Sequence, residues 1–166
     1  MIEEKIQKQN VGNAGEYYMA SRLSEKDFTA TITLGRAEKY DILALNPKGK
    51  MFKISVKTTQ RDNAKDFPLS IKDEKGGSDD FYYIFVRLNK FIKEPDFWVI
   101  PSKVVNTLLS EEHKKWLSMS SLSGKKHKDN PIRLLPVELT RGAKLVYPEN
   151  WEKEIAKYYK NLEQLY

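Results

Sequence analysis

Apolar residues first recur at helical spacing. Ile6, Ala14, Tyr17, Tyr18, Ala20 and Leu23 supply much of one face of a helix expected over residues 2 to 25, with Gly12 and Gly15 placed to break or bend it. Phe28 to Leu34, F-T-A-T-I-T-L, is rich in β-branched residues and reads as a strand. The period then changes to two. From Met51 to Lys57, Phe52, Ile54 and Val56 face one way, while Met51, Lys53, Ser55 and Lys57 face the other. Asp41 to Leu45 forms the partner strand, and Asn46-Pro47-Lys48-Gly49 supplies the turn, since proline presets φ and glycine accepts a positive one.

Beyond this hairpin, Thr58 to Lys65 reads as a polar loop and Phe67 to Ile71 as a short strand. Lys75 to Asp80 is a loop, and Phe81 to Val86 is a continuous apolar run, expected for a central strand covered on both faces. Phe97 to Ile100 is another strand, stopped by Pro101. Ser102 is placed to cap a helix through Val104, Val105, Leu108 and Leu109, and residues 111 to 119 continue it or add a second helix. Ser120 to Pro131 is a polar loop. Residues 132 to 147 lack a clear period and are expected as a short strand or ordered coil. Trp151 to Tyr166 reads as a final amphipathic helix built on Trp151, Ile155, Tyr158, Tyr159, Leu162 and Leu165. The expected fold class is therefore α/β or α+β, a mixed central sheet flanked by helices, with residues 1–166 as a single domain.

Composition narrows the function classes. Forty per cent hydrophobic and 11% aromatic residues describe a folded chain. No apolar run approaches the roughly 18 residues a membrane span needs, and the absence of a leader-like amino terminus makes a soluble cytoplasmic protein the expectation. Without cysteine there is no disulfide framework, thiol nucleophile or Cys-based zinc site, and two histidines, His113 and His127, exclude a His-rich one. Ser102 has no histidine partner or nucleophile-elbow context, which argues against serine-hydrolase chemistry. Trp98, Trp116 and Trp151 fall on apolar faces and are expected in the core.

Charge is concentrated. Residues 36 to 65 hold eight basic residues (Arg36, Lys39, Lys48, Lys50, Lys53, Lys57, Arg61, Lys65) against three acids, a local +5 within a total of +6. A positive field centred on the hairpin suits a polyanion such as DNA; a solvated edge hairpin guarded by lysines is the other account. Lys48, Lys50 and Arg61 are the candidate phosphate contacts there, and Lys125, Lys126 and Lys128 are candidates in the loop that carries His127.

An acid at the start of one strand and a lysine at the end of its neighbour, backed by apolar residues, is an arrangement suited to phosphodiester cleavage. If Leu45 pairs with Met51 across the turn, Asp41 stands opposite Ser55 on the same face; a slip of one residue separates them.

Three segments, G-E-Y at residues 15 to 17, D-I-L-A at 41 to 44 and I-S-V-K-T-T at 54 to 59, resemble the PD-(D/E)XK nuclease superfamily, with its restriction endonuclease-like fold. More loosely, F-Y-Y-I-F-V-R-L, F-W-V-I-P-S-K-V-V and H-K-D-N-P-I-R resemble bacterial members of unassigned role that carry I-Q-V-K-T. The resemblance implies a core of a helix, a three-strand meander, a helix and one or two further strands. It also implies a DNA endonuclease dependent on Mg²⁺, or on Mn²⁺ in its place. By position, Asp41 becomes the metal aspartate, the Val56 carbonyl an added ligand, Lys57 the lysine that assists the attacking water, and Glu16 the acid of the first helix. Ser55 stands where the motif carries its second acid. A neutral hydroxyl does not replace a carboxylate's charge, so Glu16 is the residue expected to restore it. The alternative function is a catalytically inactive module on the same fold that binds nucleic acid or protein, with Ser55 marking the lost activity. A homodimer is open on either reading.

Overall fold

The structure, a computed structural model, describes residues 7–33, 40–121 and 124–166. Residues 2–6 of the expected first helix, Leu34 of the expected first strand, and Arg36 and Lys39 of the basic segment lie outside the described residues.

The hairpin turn closes as its residues dictate. Gly49 takes φ +80°, its N–H donates to the Asn46 carbonyl at 2.9 Å, and the buried Asn46 side chain accepts the N–H groups of Lys48 and Lys50 at 3.0 and 2.8 Å. The flanking strands are β2 (Ile42–Leu45) and β3 (Met51–Thr59), antiparallel from Leu45↔Met51 to Ile42↔Ile54. β1 (Thr29–Ile32) adds antiparallel to β2, completing a meander. β5 (Phe81–Arg87) lies parallel to β3 with Val56 beside Ile84, and β6 (Asp96–Pro101) lies beside β5, so the sheet order is β1-β2-β3-β5-β6. This is the mixed α+β sheet expected. The interior position of β5 explains its unbroken apolar run.

The parallel step from β3 to β5 requires a crossover. The resemblance places a helix there; the chain instead carries β4 (Asp66–Ser70) and a 3-10 turn over Ile71–Glu74. Phe67 and Leu69 alternate with polar or exposed neighbours at the strand period. Ser70 and Asp73 then form a reciprocal capping box that opens this single helical turn, which ends in the extended backbone of Lys75.

Two compact units result: residues 1–64, 80–99 and 159–166, and residues 65–79 and 100–158. In the first, α1 (Lys8–Glu25) packs Met19 and Leu23 against Ile42, Phe52, Ile54, Val56, Ile84 and Val86. Neither glycine breaks this helix. Gly15 serves close approach, since a Cβ there would lie 2.0 Å from Thr58 Oγ1 on β3. A 3-10 turn over Leu162–Leu165 closes the same core.

In the second unit β4 pairs antiparallel with β7 (Ile132–Pro136), and α2 (Ser102–Ser118), α3 (Ala143–Val146) and α4 (Trp151–Ala156) complete it. Ser102 does not cap α2. Pro101 occupies the cap position, while the buried Ser102 hydroxyl donates to the Ser78 carbonyl and accepts its N–H, both at 3.1 Å. The final helix is shorter than its pattern predicts, ending at Ala156. Tyr159 bridges to Trp98 as a strand residue, and Lys160, at φ +50°, sends its N–H to Phe97. Strand-edge pairing therefore displaces the helix where the apolar spacing still suits one. Trp98 and Trp151 are buried as expected. Trp116 is half-buried, stacked between His113 and His127 with ring centroids 5.5 and 4.1 Å away. No helix among the described residues is long and apolar enough to cross a membrane.

Candidate functional site

The chain bends at Asp41 as it enters β2. Its backbone is fixed from both sides: Asp41 N–H donates to the Ile54 carbonyl at 2.7 Å, and its own carbonyl accepts the Thr33 N–H at 2.9 Å. The side chain turns onto β3. Its Oδ2 accepts the Val56 backbone N–H at 2.6 Å and the Ser55 hydroxyl at 3.2 Å. The pairing of Leu45 with Met51 is the register on which the sequence made the meeting of Asp41 and Ser55 depend. Among the described residues no hydrogen bond reaches Asp41 Oδ1. In an extended strand a residue's N–H and C=O leave by the same edge. The Val56 carbonyl therefore leaves β3 on the side of Asp41.

Lys57 follows Ser55 on the same face of β3 by the strand period. It is half-buried, and its ammonium forms no hydrogen bond or ion pair with a described residue. Glu16 comes from α1, one residue beyond the Gly15–Thr58 contact that seats the helix against β3. Burial pushes its carboxyl above the ordinary range, and the negative charge of Asp41 pushes it further. The two carboxylates therefore share one electrostatic environment. Among the described residues no group of three or more His, Cys, Asp or Glu side chains gathers as a metal cluster. The hard oxygens at this place are those of two carboxylates, the Ser55 hydroxyl and the Val56 carbonyl, a donor set that suits Mg²⁺ by type.

The basic residues divide. Lys48, Lys50 and Arg61 are exposed, with Lys50 Nζ 4.7 Å from the centroid of the Phe52 ring. Lys53 is engaged by Asp80 at 3.1 Å. In the second unit Lys125, Lys126 and Lys128 are exposed. The histidine between them is not free to sweep solvent: its ring lies on Trp116.

One polar cluster escaped sequence reasoning. Asp96 receives Arg87 Nε at 3.1 Å, Asn89 Nδ2 at 3.0 Å and the Tyr159 hydroxyl at 2.7 Å. Burial by itself would raise the Asp96 carboxyl; the hydrogen bonds from Tyr159 and Asn89 and the Arg87 charge outweigh it and hold the group low. Burial, then the bond to Asp96, pushes the Tyr159 phenol up to about 12. Tyr159 lies 63 positions from its acid, so no local spacing could announce the pair.

No family model matches the chain. No curated protein matches it. Among solved structures, the bacterial homing endonuclease I-Ssp6803I is similar over 92% of this chain and 94% of its own, with a TM-score of 0.48 and 13% sequence identity.

Proposed function

We propose that the chain is a DNA endonuclease of PD-(D/E)XK type, dependent on Mg²⁺ or Mn²⁺, whose site is Asp41, Glu16, Ser55, Val56 and Lys57. The observation that carries this reading is the position of Asp41. Its carboxylate is held against Ser55 and Val56 of β3, it is near enough to Glu16 to perturb that acid's titration, and the uncommitted Lys57 follows on the same strand.

In this reading Asp41, Glu16 and the Val56 carbonyl hold the metal. When bound, it supplies positive charge to the phosphate and acidifies water. Ser55 donates its hydroxyl hydrogen to Asp41 and thereby fixes which carboxylate oxygen stays available. Lys57 holds the attacking water by donating to it and offsets charge that builds on the phosphoryl oxygens. The exposed Lys48, Lys50 and Arg61 draw the DNA backbone to the same unit.

A second reading has its own observation. The short bond from the Val56 N–H caps a strand end, and Asp41 performs that task without any chemistry. With Ser55 at the acid position, the same fold then acts as a binding module for nucleic acid or protein.

Cleavage of linear, supercoiled and branched DNA with Mg²⁺ or Mn²⁺ decides between them. The nuclease reading expects metal-dependent cleavage that is lost in Asp41→Ala and in Lys57→Ala. Cleavage that survives Asp41→Ala, or proceeds in a chelator, rules out the mechanism. Salt-sensitive DNA binding without cleavage leaves the binding module.

A further inference from the structure

β5 leaves the sheet of the first unit through a left-handed turn. Asn89, Lys90 and Phe91 take φ of +53°, +53° and +54°, so three successive residues stand in the left-handed region. Asparagine enters that region readily; lysine and phenylalanine do not, and a run is costlier than a single residue. Glycine would relieve the cost, and the turn contains none.

The base of the turn holds this conformation. Leu88 N–H donates to the Thr59 carbonyl at 2.8 Å, and Lys90 N–H to the Gln60 carbonyl at 3.1 Å. Phe91 and Ile92 N–H close back on the Leu88 and Asn89 carbonyls at 2.9 and 3.0 Å. The buried Asn89 side chain donates to the Glu94 carbonyl and to Asp96 Oδ2, both at 3.0 Å. Backbone strain that the surroundings enforce concentrates at functional sites.

The turn displays apolar side chains. Phe91 is 59% exposed and Ile92 81%. Exposed Lys90 and Lys93 stand on either side of them. The acids of this segment are already paired: Glu94 with Lys160 at 2.9 Å, and Asp96 with Arg87 at 3.1 Å and with Lys93 farther off at 3.9 Å. The bond to Gln60 sets the turn beside exposed Arg61. Gln60 lies three residues past Lys57, about 10 Å at the rise of a strand.

We propose that this turn is a wedge for double-stranded DNA: Phe91 and Ile92 enter the stack at one base step while Lys90, Lys93 and Arg61 meet the flanking phosphates. The inference rests on DNA as the partner in the proposed function and adds where the duplex is deformed. Apolar side chains inserted between base pairs unstack them and kink the duplex. A tip fixed in advance loses little freedom on entering. The flanking bases, and the tie to the strand that carries Lys57, favour a polyanion over an uncharged protein surface. Pyrimidine–purine steps unstack most easily and are the expected place of entry.

Duplexes carrying 2-aminopurine at a TA, CA or AA step test this with the full chain, in chelator to keep the DNA uncut. Unstacking appears as a rise in 2-aminopurine fluorescence; anisotropy of an end label reports binding separately. The parent is expected to give the rise at a TA or CA step. Phe91→Ala/Ile92→Ala is expected to abolish it and to leave the salt slope of binding unchanged, since no charge is lost. Lys90→Gln/Lys93→Gln is expected to lower that slope by about 2. Phe91→Leu, still an apolar wedge, is expected to keep the rise. Phe91→Gly is expected to lose most of the rise yet melt at a higher temperature than Phe91→Ala, because glycine accepts the positive φ. A lower melting temperature would contradict the strain. Binding without a rise at any step, or a rise kept in the double alanine variant, would overturn the wedge and leave DNA as the partner. Binding to phosphatidylserine vesicles that the double alanine variant loses, with no rise on DNA, would assign the turn to a lipid surface and also overturn it. No binding to any duplex would overturn the wedge and the DNA partner together.

Discussion

The Val56 backbone N–H donates to Asp41 Oδ2 at 2.6 Å, joining the residue that opens β2 to the one beyond Ser55 on β3. This bond ties stability to the proposed chemistry. Asp41→Asn keeps a side-chain oxygen for Val56 but loses charge; Asp41→Ala loses both. We expect neither variant to cleave DNA. Asp41→Ala should lose about 1.5–3 kcal/mol of stability in urea denaturation and Asp41→Asn distinctly less. Equal losses would mean that the Val56 bond contributes little.

Ser55→Glu tests whether the missing carboxylate limits the site. Ser55 is buried and donates to Asp41. A glutamate there places a third acid beside Asp41 and Glu16, which repel one another without a cation. The variant should melt at a lower temperature than the parent in chelator and regain the difference on adding Mg²⁺, with tighter metal binding by calorimetry. If Glu16 already completes the site, cleavage should change little.

The perturbed titration of Glu16 predicts a pH-dependent cost. Its folded-state pKa lies above its unfolded value, so ionising it opposes folding. The penalty is absent well below the unfolded pKa of about 4.3, grows as pH rises through the folded value and is constant above it. Glu16→Gln should therefore melt at a higher temperature than the parent at neutral pH, with the gap closing in acid. Added Mg²⁺ should raise the melting temperature of the parent more than that of the variant. A gap that widens in acid would contradict this assignment.

The Asp96 cluster should act in the opposite sense. The Asp96 carboxyl is held low, so its contribution is present above the unfolded pKa and is lost as pH falls through the folded value. Asp96→Ala leaves Arg87 buried without its carboxylate and should cost about 3 kcal/mol. Tyr159→Phe should cost about 1 kcal/mol, the net worth of one hydrogen bond. In ultraviolet titration of the native chain, one tyrosine should ionise near 12, and that step should vanish in Tyr159→Phe.

Exposed bases predict the salt dependence of DNA binding. Replacing Lys48, Lys50 and Arg61 together by alanine should weaken binding and reduce the slope of log affinity against log salt by roughly 2–3. Fluorescence anisotropy over a range of salt concentrations measures it. An unchanged slope would show that these side chains do not face phosphates.

Local pattern determined the elements in which neighbouring residues settle the outcome. The apolar alternation of Phe52, Ile54 and Val56 makes β3 because a strand must bury every second residue on its core face, while the opposite face is exposed or half-buried at Met51, Lys53 and Lys57 and covered only at Ser55. Asn46 to Gly49 makes the turn because Gly49 supplies the positive φ. The unbroken run from Phe81 marks an interior strand because both its faces are covered. The placing of Glu16 on a first helix, Asp41 at the entry to β2 and Lys57 on β3 was likewise legible. Tertiary structure decided what no single segment contains. Gly15 looked like a helix breaker until Thr58 approached it from β3. Tyr159 and Leu162 kept helical spacing, yet pairing with Trp98 and the bond to Asp96 drew the chain out of a helix. Nothing near Phe91 announces a left-handed turn; the bonds from Leu88 and Lys90 to Thr59 and Gln60 fix one. Spacing specifies which residues can share a face; the partner that face meets comes from distant parts of the chain, and that partner sets burial, charge and hydrogen bonding.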